Sequence, residues 1–268
     1  DLNFNVMLSQ RGQLNLGHSD ANMTVLSKRG NTMRANGIDA DILTREEVQK
    51  IAPYFDYTPS ARFPIYGALW QDRAGVARHD AVAWGYARGA DSYGVDLIQN
   101  CEVLGFVKEG ERIVGVETTR GRIGAKKVGT TVAGHTGHLA EKAGLKLPIE
   151  THVLQAFVSE PLKPMVDIVV SCGAMHFYLS QSDKGTLVFG GDLDGYNSYA
   201  QRGNLPLMDH VMAAGVSLMP SLSRLRFHRH WGGVMDMTMD GSPIIAKSPI
   251  PGLFINGGWC YGGFKATP

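Results

Sequence analysis

The order of elements between His79 and Gly144 constrains the fold of this chain more than any other feature. "HDAVAWGYARGADSY" predicts a helix capped by Asp80 and ended by Gly94. "VDLIQNCEVLGFV" predicts a buried strand bending into an exposed one. Three strands follow in hairpin succession, at 102–107, 112–118 and about 120–125, turned by "KEGE" and "TRGR". "KKVGTTVAG" predicts a buried strand that stops at Gly134 before the helix "HTGHLAEKAG". A generic α/β chain alternates single strands with helices, and a three-stranded meander between two buried strands breaks that alternation.

Upstream, residues 10–17 alternate as a half-buried strand does, and 19–37 carry a helical spacing that ends at Gly37. "TREEVQKIAP" predicts a short helix with Thr44 as N-cap, Glu47 as its capping-box partner and Pro53 closing it. "YGALWQD" reads as a strand. Residues 150–235 differ in texture: "HVLQAFVSE", "AMHFYLSQ", "GTLVFGGDL" and "RLRFHRHWGGVMD" are strand-like runs, with one helix from about Pro206 to Met219. That pattern suits an antiparallel sheet covered on one face. "GLFINGGWCYGGF" is a short buried strand entering a glycine-rich turn.

A chain of 268 residues with 44% apolar content can bury a sizeable core. Its formal net charge of +1 is spread along the chain, so nucleic acid and anionic membrane are not expected partners. Cys101, Cys172 and Cys260 stand far apart, which predicts neither zinc nor disulfides and a reducing compartment. No apolar run approaches the ~18 residues of a membrane span, and a cytoplasmic protein is expected.

The order of helix, strand, meander, strand and glycine turn resembles that beneath the cofactor in flavoprotein domains of the glutathione reductase type. The fold expected is therefore α/β, mixed α+β: an incomplete FAD-binding domain over 75–142 and 248–268, and an antiparallel-sheet substrate domain over 1–74 and 143–247. The G-x-G-x-x-G fingerprint that opens such a domain is absent. Together with a first residue that is not Met and a last stretch that stops on a glycine turn, this leads to the expectation of a fragment. It is expected to lack the N-terminal dinucleotide-binding unit and the C-terminus.

"SQRGQLNLGHS", "RAGVARHDAVAWGYAR", "GVDLIQNCEVLGF", "LPIETHVLQAFVSE", "GYNSYAQRG" and "NGGWCYGGFKATP" resemble, in order and along essentially the whole chain, the β subunits of heterotetrameric sarcosine oxidases. The resemblance implies non-covalent FAD, a second flavin, FMN, bonded to a histidine, and further subunits of a hetero-oligomer. The matching histidine is His79. A neutral imidazole can attack the 8α carbon of a flavin ring, and a helix start disfavours the protonated form, although Asp80 works partly against this. Without the resemblance, a lone histidine at a helix start would be read as a solvated loop residue.

Lys265 matches a family lysine close to the reactive flavin, where a cation can pair a substrate carboxylate or favour negative charge developing on reduced flavin or oxygen. The same resemblance places Gly257, Gly258, Gly262 and Gly263 against the FAD ring, with N–H groups aimed at it. Cys260 and Tyr261 depart from the family's usual Gly-Thr and bring bulk to that turn. His135 and His138 are expected to line the flavin side of a helix start, and Asp240 and Pro243 to shape a loop. Phe157, Met175, Phe177, Tyr178 and Phe189 are expected in the core, and His152 and His176 as satisfied sheet residues, with either open to facing a pocket.

The function expected is that of a flavin-dependent oxidase subunit: oxidative demethylation of sarcosine, or a similar N-methyl amino acid, through FAD, with electrons passing to His79-linked FMN. A single-flavin secondary-amine or D-amino-acid dehydrogenase is one alternative, and a non-catalytic truncated module another. The 268 residues alone are expected to be inactive and without bound cofactor, and to self-associate through an exposed sheet flank.

Overall fold

A computed structural model describes residues 2–267. The chain begins with β1 (Ser9–Gln10), β2 (Gln13–Gly17), α1 (Asp20–Ala35), β3 (Asp41–Thr44), α2 (Arg45–Ile51), β4 (Gly67–Gln71) and β5 (Gly75–Val76). It continues through α3 (His79–Ser92), β6 (Val103–Glu109), β7 (Arg112–Thr118), β8 (Gly121–Gly124), β9 (Val128–Thr130) and α4 (Thr136–Ala143). There follow β10 (Ile149–Pro161), β11 (Val169–Cys172), β12 (Phe177–Gln181), β13 (Thr186–Leu193), α5 (Leu205–Leu218), β14 (Phe227–Thr238), β15 (Ile244–Lys247) and β16 (Leu253–Gly257). Two compact units result: Asp1–Gly85 with Gln155–Leu193 and Gly203–Trp231, and Tyr86–Leu154 with Asp194–Arg202 and Gly232–Pro268.

The first unit is built on a sheet of order β14-β10-β13-β12-β11-β2-β4-β3. The runs expected over 150–235 all enter it, but β2, β3 and β4 extend it, and β11 meets β2 in parallel. Parallel neighbours need a long crossover, which no local pattern near Val169 or Gln13 could announce. Phe157, Leu179 and Leu187 are fully buried, with the Phe157 ring stacked on Phe189 at 5.6 Å. Val48 and Ala52 bring α2 into this core, and Val211, Ala214 and Leu218 bring α5. Each large apolar side chain so buried contributes about 1.5–3 kcal/mol.

β2 is not half-buried as its alternation suggests: Leu14 and Leu16 join the core, and Asn15 and Gly17 are buried as well. α1 stops at Ala35, two residues short of Gly37. The start of α2 follows its sequence: Thr44 Oγ1 accepts the Glu47 N–H at 3.3 Å, and the Glu47 carboxylate accepts the Thr44 N–H at 2.8 Å. These bonds hold the Glu47 carboxyl below its usual range.

In the second unit β6, β7 and β8 form the meander, antiparallel throughout, with irregular register in the β6–β7 pair. A separate sheet of order β15-β16-β9 pairs β16 with β9 in parallel. The strand expected from Val95 does not form before Val103. Val95, Leu97 and Ile98 are about half exposed at 50%, 51% and 51%, and among the described residues no strand lies alongside them. An extended apolar segment without a hydrogen-bonding neighbour gains nothing by becoming a strand. β9 is likewise shorter than its pattern, ending at Thr130 before a 3-10 turn over Ala133–His135.

Among the described residues no helix is long and apolar enough to cross a membrane, no group of side chains is arranged to hold a metal ion, and the three cysteines are free.

Candidate functional site

His79 begins α3 in the first unit, and its exposed imidazole makes no hydrogen bond with a described residue. Asp80 does not cap this helix from outside, as the sequence suggested, but lies in its first turn. There Oδ1 accepts the Ala81 N–H at 2.9 Å and the Arg78 Nε–H at 3.0 Å, and Oδ2 pairs with a second Arg78 nitrogen. The Arg78 guanidinium holds the Asp80 carboxyl below its usual range and is itself pushed up. The carboxylate thought to oppose a neutral imidazole is thus largely satisfied by Arg78.

The segment leading to His79 is fixed by an N-terminal stretch. β1 pairs antiparallel with β5, Ser9 opposite Val76, and the Val6 carbonyl accepts the Arg78 N–H at 3.2 Å. Met7, Leu8, Val76 and Trp84 leave much of their apolar surface exposed in this unit, Trp84 at 69%.

A polar row crosses the large sheet. Ser171 stands opposite both Asn15 and Tyr178, and Tyr178 opposite Gly190. Ser171 Oγ donates to Asn15 Oδ1 at 2.5 Å, and the buried Asn15 Nδ2 has no partner. Burial pushes the Tyr178 phenol up. Tyr178 therefore lies in this row and not among the buried apolar residues expected with it. His152 is satisfied by the Asp194 carbonyl at 2.7 Å and Glu150 at 3.2 Å. His176 is not in a strand: it takes a left-handed conformation, φ +45°, after a 3-10 turn, with its side chain near Asp192.

In the second unit the turn after β16 brings Gly257, Gly258, Gly262, Gly263 and Lys265 together. Gly258 has φ +77°, and a side chain there would strike Thr238. One at Gly257 would meet Thr136 at 2.7 Å. Both glycines are demanded by the protein's own packing. The Gly258 N–H is given to Asp236 Oδ2, and the Gly262 N–H to the Trp259 carbonyl at 2.8 Å, so neither amide is free to aim at a ring. Lys265 Nζ donates to the Tyr261 carbonyl at 2.9 Å.

Cys260, φ +50°, turns its sulfur toward β14, where Sγ accepts the Thr238 N–H at 3.4 Å; its bulk is directed into the turn. Asp240 stabilises its loop by accepting the Ser242 N–H at 3.0 Å. His135 and His138 flank the Tyr199 ring at 5.5 and 6.1 Å. Asp236 was not singled out from the sequence. A lone acid in the apolar strand run "GGVMDM" was the available signal.

A family model described as FAD dependent oxidoreductase matches residues 1–268. The chain is 63% identical over 268 residues to sarcosine oxidase subunit beta of Rhizobium meliloti (strain 1021), covering 100% of this chain and 64% of that protein. To the subunit of the same name from Arthrobacter sp it is 48% identical, covering 100% of this chain and 66% of that protein. It thus spans just under two thirds of these relatives. Among solved structures, L-proline dehydrogenase from P. horikoshii superposes with a TM-score of 0.87 at 25% identity, over 98% of this chain and 70% of that one.

Proposed function

This chain belongs to the FAD dependent oxidoreductase family, and on that footing we propose that it is the β-subunit portion of a hetero-oligomeric, cytoplasmic flavin oxidase that demethylates sarcosine or a similar N-methyl amino acid. The observation that carries this reading is the 63% identity, without a break in coverage of this chain, to a protein named sarcosine oxidase subunit beta. The mixed sheet with its polar row serves as the substrate domain, and the unit holding the meander and the glycine turn as part of the FAD domain.

The residues present fit the ring end of a flavin. At Gly262 and Gly263 the turn carries no side chain and only Trp259 lies within 4 Å, Gly257 and Gly258 being taken up by the turn's own packing, and Lys265 follows on the same short stretch. His79 fits a covalent anchor, being exposed, at a helix start and without a hydrogen-bonding partner among the described residues. FAD held at this turn would supply the acceptor for a hydride equivalent, and FMN held by His79 would supply a route for the electrons to oxygen. Lys265 pairs the substrate carboxylate, exchanging its Tyr261 carbonyl for a charged partner. His79 bonds through a ring nitrogen lone pair, which requires the neutral imidazole. Arg78 keeps the Asp80 charge occupied meanwhile.

The 268 residues hold no G-x-G-x-x-G turn, so the pyrophosphate of FAD has no such cradle here, and the chain by itself binds FAD weakly. The test is a visible spectrum and a calorimetric titration with FAD, on this chain and on the complete enzyme. The reading expects covalent and extractable flavin in the complete enzyme, and His79→Ala to abolish only the covalent part. Covalent flavin surviving in acid-precipitated His79→Ala protein would move the anchor elsewhere.

A further inference from the structure

Asp236 is a buried charge that the proposed function leaves without a task. It lies on β14 at 4% exposure, and Oδ2 accepts the Gly258 N–H while its main-chain carbonyl accepts the Cys260 N–H at 3.1 Å. Among the described residues Oδ1 has no hydrogen-bond partner. Asp236 forms no ion pair among the described residues. Buried carboxylates are ordinarily paired with a cation or saturated with donors, because an ionised oxygen removed from water loses its hydration. Here one oxygen is used to hold a turn and the other is bare.

Resting on the reading of an amino-acid oxidase above, we infer that Asp236 Oδ1 binds the amino nitrogen of the substrate at this turn. An N-methyl amino acid carries both signs of charge, and the turn offers both. Asp236 holds the Gly258 amide and Lys265 holds the Tyr261 carbonyl, so a carboxylate and an ammonium are both tied to the segment that follows β16. The pairing also acts in the reaction. The form that reacts is the free amine, its ammonium proton having passed to solvent; as the hydride leaves the N-methyl carbon for the flavin, the nitrogen lone pair becomes the second bond of C=N and the nitrogen turns cationic again. A fixed carboxylate beside it favours that charge, and Asp236 itself exchanges no proton.

The test uses the complete flavin-loaded enzyme and two probes of the same shape, trimethylglycine, with a permanent cation, and 3,3-dimethylbutyrate, with none. Neither can be oxidised by loss of a nitrogen lone pair, and each is titrated by its perturbation of the flavin absorption. Asp236→Asn keeps an acceptor for Gly258 while removing the charge. The expected result is that the native enzyme prefers trimethylglycine and that Asp236→Asn cuts this preference about tenfold, with dimethylbutyrate affinity unchanged. An unchanged preference in the variant overturns the inference. Loss of flavin from Asp236→Asn would also overturn it, by assigning the residue to the turn alone. If neither probe perturbs the native flavin, the amino-acid oxidase reading of this turn falls, and the inference with it.

Discussion

Arg78 and Asp80 close a two-point fork across His79, Nε to Oδ1 at 3.0 Å and a second guanidinium nitrogen to Oδ2. The guanidinium keeps Asp80 ionised and occupied. Arg78→Ala opens this fork and loosens the segment that presents the imidazole. Covalent flavin incorporation in the complete enzyme should slow. In-gel flavin fluorescence after denaturation, followed in time, gives the comparison. Equal rates for variant and native protein would refute this role.

Lys265→Met should lower kcat/KM of the complete enzyme by about 10²-fold, because an ammonium facing substrate charge is lost while little buried surface changes. Steady-state kinetics with sarcosine and a thermal melt separate the two effects. A variant with native kinetics would leave Lys265 as a solvated side chain bonded to the Tyr261 carbonyl.

Gly258→Ala should cost about 1–3 kcal/mol, since the residue sits at φ +77° and its added carbon strikes Thr238. Urea denaturation reads the loss. In the complete enzyme the same change should release FAD if the turn borders its ring.

Thr44→Ala removes the N-cap of α2, and about 1 kcal/mol of stability is expected to go with it. A urea midpoint equal to that of the native chain would show that α2 is held by its buried Val48 and Ala52 alone.

His18 gives a pH dependence with a definite sign. Its Nδ1 faces the Phe63 and Pro64 carbonyls at 3.2 Å each, so the proton sits there, and Nε2 is buried without a partner. Desolvation lowers its pKa from the ordinary 6.5. The unfolded chain therefore binds the proton more readily, and the stability His18 contributes is present above pH 6.5 and lost as pH falls below it. His18→Gln should flatten the fall in urea midpoint between pH 7.5 and 5.5. An identical slope in the variant would place the dependence elsewhere.

The local grammar of this chain determined much of its structure. The capping box of Thr44 and Glu47 and the meander of β6, β7 and β8 each depend on neighbours within a few residues, so spacing alone suffices to specify them. The resemblance carried His79 and Lys265, which no spacing singles out. Tertiary structure decided the rest. Whether Val95–Ile98 becomes a strand depends on a partner strand that no local pattern supplies, and β2 is buried beyond its alternation because core residues as remote as Val170 and Leu218 join Leu14 and Leu16. The same holds for the turn after β16. Gly258 is fixed there by Thr238 and Asp236, about 20 residues upstream, and a hydrogen bond or a steric contact between remote residues has no period for a sequence pattern to show.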